Sequence, residues 1–223
     1  EMNLKPEDPA WPERDRLILS KGHACPVQYA ALCRRGYFPA CDMATLKALG
    51  SPLQGHPDHA RLPGIEASTG SLGQGLSQGV GMALALRKDA PGARVFVILG
   101  DGELNEGQVW EAVMFAGAHR LGNLTAIVDR NGLQAMGPTC QRLDIGPLAP
   151  KFGAFGWRTL SIDGHDMAQI LCALAHTREA GRPTAILART VKGRGVPAAE
   201  GQVAFHNNQL DEKQFAEAVA ALS

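Results

Sequence analysis

Apolar positions along the chain follow two rhythms. Three runs are short, continuous and rich in β-branched residues: Val95–Leu99, Leu124–Val128 and Thr184–Ala188, with a weaker one at Trp157–Ile162. Runs of that length between turn signals predict buried strands. Helical character marks the stretches between and around them: Val27–Arg35, stopped by Gly36; Asp42–Leu49, with Asp42 as N-cap; Leu72–Lys88; Asn105–His119; Met167–Ala180; and Asp211–Leu222. Glycine and proline punctuate 53–71, which predicts a loop. Strands alternating with helices predict βαβ units. The expected fold is therefore α/β: one doubly wound domain over 1–223, its sheet mainly parallel and covered by helices on both faces. No internal repeat and no low-complexity linker interrupts it.

Composition narrows the class. In 223 residues, 45% hydrophobic and 20% charged content fits a globular chain with a real core. The formal charge of zero offers no broad basic face for nucleic acid or an anionic membrane. Cys25, Cys33, Cys41, Cys140 and Cys172 form no CxxC pair, and read as reduced thiols of a cytoplasmic protein. The first stretch, EMNLKPEDPAWPERDR, is charged and proline-rich, unlike a signal peptide or a membrane anchor. It starts as if within a loop, with a preceding helix expected.

In parallel sheets, ligands sit beyond the carboxyl ends of the strands. Gly100-Asp101-Gly102 and Asp129-Arg130-Asn131-Gly132 lie at two such ends, and adjacent strands would bring them together. Asp101 and Asn131, with the backbone carbonyl of Leu133, make part of an oxygen shell for a hard divalent cation. The remaining positions would go to water and a ligand phosphate. The glycines would let backbone approach a diphosphate. A plainer reading stands beside this one: Asp101 caps the following helix and Asn131 takes a left-handed turn position. In the helix from Leu72, Gly75, Gly79 and Ala83 recur every four residues and leave one face nearly bare. That face either packs closely on the sheet or receives another copy.

The stretch GDGELNEGQVWEA (100–112), then LGNLTAIVD and an asparagine thirty residues after the aspartate, resembles the thiamine-diphosphate signature. The closest family is transketolase. LILSKGHA (17–24), GHPD (55–58), STGSLGQGLSQGVGMALA (68–85), IDGHD (162–166) and KGRGV (192–196) fall in transketolase order, so the resemblance covers nearly the whole chain. It implies the thiamine-diphosphate-binding fold, in its diphosphate-binding form. Asp101, Asn131 and the Leu133 carbonyl would ligate Mg2+, with Ca2+ or Mn2+ as alternatives. Gly100, Asp101, Gly102 and Glu103 would lie on the diphosphate side, and Gly70, Ser71 and Leu72 against the thiamine end. His23, His56 and His206 would surround the cofactor's reactive face and the donor's hydroxyls, with Lys192 nearby. Glu106 would belong to a proton network between paired active sites. His59, His119, His165 and His176 read as surface or capping residues, His165 as one that holds a loop.

The resemblance also implies a missing part. The glutamate that engages the aminopyrimidine ring, and most groups that bind the far end of a sugar phosphate, sit on a pyrimidine-binding domain in this family. That domain and the C-terminal one are expected on a complementary subunit. The expected function is then half of a split transketolase, inactive alone. It would transfer a two-carbon ketol unit from a ketose phosphate to an aldose, in an α2β2 assembly that uses the bare helix stripe. Two alternatives remain open: a subunit of a deoxyxylulose-phosphate-synthase-like enzyme, and a cofactor-binding module without catalysis.

Overall fold

Five strands associate in parallel, and every connection between them returns over the sheet. The protein is described here from a computed structural model, over residues 1–179 and 181–222. In chain order the elements are β1 (Arg16–Leu19), α1 (Cys25–Arg34), α2 (Gln74–Asp89), β2 (Val95–Gly100), α3 (Gly107–Ala118) and β3 (Leu124–Arg130). They continue with β4 (Leu133–Gln134), β5 (Gly137–Pro138), α4 (Thr139–Arg142), α5 (Leu148–Ala154), β6 (Arg158–Asp163), α6 (Met167–His176), β7 (Thr184–Arg189) and α7 (Glu212–Leu222). The sheet order is β1-β2-β3-β7-β6, while β4 and β5 form a small antiparallel ladder. The connection from β6 to β7 runs back toward the centre. The parallel α/β expectation holds.

Alternation along the strands sorts the core. Val95, Val97 and Leu99 of β2, with Leu124, Ala126 and Val128 of β3, point to one face and join the apolar side chains of α2, α3 and α5. A second apolar cluster lies under α1, where Cys25, Tyr29 and Leu32 meet Leu53, Leu62 and Ile65. It anchors the long loop between α1 and α2.

Several boundaries differ from the sequence reading. β1 was not expected: it is four residues long and begins with arginine, but β2 supplies its partner from Arg16↔Val95 to Leu19↔Ile98. The helix expected over Asp42–Leu49 is only a helical turn, Ala40–Thr45, and its N-cap is Pro39. Lys47 at φ 62 breaks the continuation. α2 begins at Gln74, behind Gly73 at φ 84, and α3 begins at Gly107, because Glu106 is extended. α6 ends at His176 and a turn, Thr177–Glu179, follows; Ala180, the expected end, and Ser223, the end of the expected domain, lie outside the described residues.

The bare stripe of α2 faces the sheet, which corrects its reading as a self-association surface. A Cβ on Gly75 would lie 2.5 Å from Ser20 Oγ, and one on Gly79 would lie 2.6 Å from Val97 Cγ2. Ala83 is fully buried in the same core. Small residues here let the helix sit down on β1 and β2.

Candidate functional site

The register of β2 and β3 pairs Gly100 with Asp129, so the two glycine-flanked loops leave the sheet side by side. Asp101 caps the helical turn Gly102–Asn105, its Oδ1 accepting the Gly102 N–H at 2.8 Å. Its Oδ2 accepts the Gly132 N–H at 2.6 Å, which ties the loops together. Asn131 Oδ1 accepts the Leu133 N–H at 3.0 Å, while Gly132, not Asn131, takes the left-handed position at φ 76. Burial pushes the Asp101 carboxyl up; the two N–H groups and Lys21 oppose this, and Asp129 adds to it. Each Asp101 oxygen retains a lone pair beyond its N–H bond. Among the described residues no three His, Cys, Asp or Glu side chains gather as a metal cluster. A cation here would therefore draw on the Asn131 amide oxygen and a backbone carbonyl, a set of hard donors suited to magnesium.

A basic wall faces this loop pair. Lys21, just past β1, donates to Asp129 Oδ2, and the Thr190 hydroxyl, just past β7, donates to Asp129 Oδ1. Burial works against the Asp129 carboxylate, but Lys21 and the hydrogen bonds from Lys21, Thr190 and Asn131 outweigh it and hold its pKa low. Lys192 Nζ lies 3.5 Å from His206 Nδ1, and the His206 ring lies 4.9 Å from that of His23. Loss of hydration, then repulsion from Lys21, lowers the Lys192 pKa. His206 is lowered by burial, then by Lys192 and Lys21. His23 keeps an open edge, yet crowding pushes it down to about 4, through lost hydration first and then His206, Lys21, Lys192 and His56. Lys21 and Lys192 match the Asp101 and Asp129 carboxylates in charge. The His23 and His206 imidazoles stay neutral near pH 7, each with one ring N–H to donate.

The remaining expected residues line the approach. A Cβ on Gly70 would lie 3.2 Å from the His56 ring, so that ring rests against the glycine. Ser71 is exposed and Leu72 half-buried. Thr69 holds the segment to β1, its hydroxyl donating to the Leu19 carbonyl at 2.7 Å. Glu103 points elsewhere than the ligand-facing role expected of it. It is 2% exposed, and its oxygens accept from Ser20 Oγ, Gly73 N–H and Gly100 N–H, which pins three loops. Glu106 is exposed beside Gly73; its N–H donates to the Glu103 carbonyl at 3.0 Å and its carbonyl accepts the Val109 N–H at 3.2 Å. His165 does hold a loop: its Nε2 accepts the Val191 N–H at 2.8 Å, next to Lys192.

Sequence reasoning missed Lys21, Asp129 and Thr190 as members of the site. Lys21 and Asp129 lie within LILSKGHA and LGNLTAIVD, so only attention to those motifs' charged positions could have found them. It also missed Tyr29, whose buried hydroxyl donates to the carbonyls of Gln54 and His56 at 3.0 and 3.1 Å. That apolar-looking helix residue fixes the backbone of a site histidine.

Comparison with known proteins bears on the fold and the family. Residues 1–222 match the family model described as transketolase, thiamine diphosphate binding domain. The 6-deoxy-6-sulfo-D-fructose transketolase subunit SqwG of Clostridium sp. (strain MSTE9) is 48% identical over 222 residues, 99% of this chain and 81% of that protein. One of the subunits of apulose-4-phosphate transketolase from Phocaeicola vulgatus is 37% identical, over 100% of this chain and 79% of its own length. The crystal structure of transketolase from Campylobacter jejuni superposes with a TM-score of 0.94 at 34% identity, covering 99% of this chain and 36% of that one. The chain thus spans about a third of that transketolase and about four-fifths of the two separate subunits.

Proposed function

The chain belongs to the transketolase family as its thiamine diphosphate binding domain, and we propose that it is the diphosphate- and metal-binding subunit of an enzyme that moves a two-carbon ketol unit from a ketose phosphate to an aldose. The observation that carries this reading is the convergence of four N–H donors, Lys21, His23, Lys192 and His206, beside the paired loops of Asp101 and Asp129. A diphosphate and its metal would bring acceptor oxygens to these donors and a cation to the carboxylates.

In this reading Asp101, Asn131 and the Leu133 carbonyl hold Mg2+, which Ca2+ or Mn2+ can replace. Gly100 and Gly102 let the backbone come close to the diphosphate, and Lys21 and Lys192 offset its charge. Gly70, Ser71 and Leu72 pack against the thiamine end. When bound, thiamine diphosphate supplies an electron sink for cleaving the bond beside the donor carbonyl. His23, His56 and His206 bind the donor's hydroxyls; neutral at pH 7, the His23 imidazole is free to accept a proton. Glu103 serves by holding the loops, and Glu106 lies where an acid could couple to a second site.

The pyrimidine-binding half is contributed by a complementary chain in an α2β2 complex. The support for a complementary chain is that two relatives named as subunits match this chain over about four-fifths of their length. The domain assignment over 1–223 and a cytoplasmic location belong to the same proposal. Among the described residues no helix is long and apolar enough to cross a membrane.

The test is to isolate the chain with whatever partner chain accompanies it, and to assay ketol transfer with magnesium and thiamine diphosphate. The donors should include fructose 6-phosphate and, because of the SqwG relative, its 6-sulfonate analogue. Transfer by the complex, absent from the chain alone, is expected. Full activity of the single chain overturns the split-enzyme reading, and pyruvate as the preferred donor overturns the transketolase reading. Asp101→Ala is expected to abolish magnesium-dependent cofactor binding, and unchanged affinity would undo the metal assignment.

A further inference from the structure

The short strand β4 runs beside the loop that carries Asp101. Gln134, its second residue, is held in register opposite Gly137, and β4 packs on the helical turn that carries His206. The Gln134 side chain lies across Gly102. A Cβ on Gly102 would sit 2.7 Å from Gln134 Cγ and 3.5 Å from its Nε2. That amide nitrogen is shut off from solvent and has no hydrogen-bond partner among the described residues. An N–H2 group buried in this way destabilises the protein unless something accepts from it. Gly102 of the Asp101 loop lies against this side chain, and the strand that carries it packs on the His206 turn.

We infer that Gln134 is a diphosphate-binding residue, its amide N–H2 donating to a diphosphate oxygen of the bound cofactor; this rests on the function proposed above. The chemistry suits the place. Burial and repulsion from Lys21 already lower the Lys192 pKa, so a further cation would raise the cost of the empty site. A neutral amide adds a directed donor without adding charge.

The test uses the complex as isolated. Affinities for magnesium–thiamine diphosphate and for magnesium with inorganic pyrophosphate are measured by calorimetry, and melting temperature is recorded without ligand. Gln134→Leu keeps the approximate shape and removes the donor, with Gln134→Met as a second variant should the first fold poorly. Both affinities are expected to fall about tenfold, the worth of one hydrogen bond to a charged group. The ligand-free melting temperature should hold or rise, because no bonded group is lost. Wild-type affinity in the variants overturns the inference. So does a loss confined to thiamine diphosphate with pyrophosphate binding intact, or a fall of several degrees in ligand-free melting. If the unaltered complex binds neither ligand, the function proposed above fails first, and that is seen before any variant is made.

Discussion

Glu103→Gln exchanges one carboxylate oxygen for an N–H2 group and leaves the side-chain shape intact. In the native protein Oε1 accepts the Ser20 hydroxyl at 2.5 Å and the Gly73 N–H at 2.8 Å, while Oε2 accepts the Gly100 N–H at 3.1 Å. However the new amide turns, its nitrogen faces a donor. The milder orientation keeps the oxygen toward Ser20 and Gly73 and sets the N–H2 against the Gly100 N–H. Two buried donors are then unpaired, at about 1–3 kcal/mol each, so the cost is about 3–4 kcal/mol. For a chain of this size each kcal/mol lowers melting by roughly 2–4 °C, so the fall is about 10 °C. Circular dichroism melting of the chain without cofactor measures this directly, and urea titration with an unchanged slope would show that the unfolded state is the same. Melting within a degree of wild type, together with lost cofactor affinity, would refute the reasoning. It would mean that Glu103 serves the ligand and not the loops.

Gly79→Ala places a Cβ 2.6 Å from Val97 Cγ2; overpacking outweighs the gain in helix propensity, for a net loss of about 1 kcal/mol. In a Val97→Ala background the same substitution should stabilise, and a double-mutant cycle by urea titration checks the reversal. His23 should titrate near pH 4 by NMR, below its ordinary 6.5. The unfolded chain then takes up that proton first, so its contribution to stability is complete above about 6.5 and is lost as pH falls toward 4. A free His23 titrating near 6.5 would contradict the crowded cluster. Tyr29→Phe removes the donor to the Gln54 and His56 carbonyls, at about 1 kcal/mol of stability. In the active complex it should slow ketol transfer while leaving cofactor affinity intact, as steady-state rates and calorimetry would show.

The parallel α/β class was legible because it rests on local pattern: apolar runs of strand length alternate with helical stretches, and turn residues separate them. Asp101, Asn131, His23, His56, His206 and Lys192 were legible as residues within motifs. β1 was not, since four residues opening with arginine carry no period of their own; β2 makes them a strand by pairing with them. The small-residue stripe of α2 could be read from its spacing, but not what faces it. Val97 and Ser20 decide that, and both come from other elements.

The same division runs through the site. Residue types and their order along the chain follow from sequence alone, because turn, cap and period rules act over a few residues. Where a side chain points depends on partners that folding delivers from far away. Glu103 turns inward because donors from the ends of β1 and β2 and from the start of α2 converge on it. Lys21 belongs to the site because parallel pairing sets the end of β1 beside β2, and β2 beside β3, within reach of Asp129. Gln134 is notable only once burial has taken its amide out of water and left it without a partner.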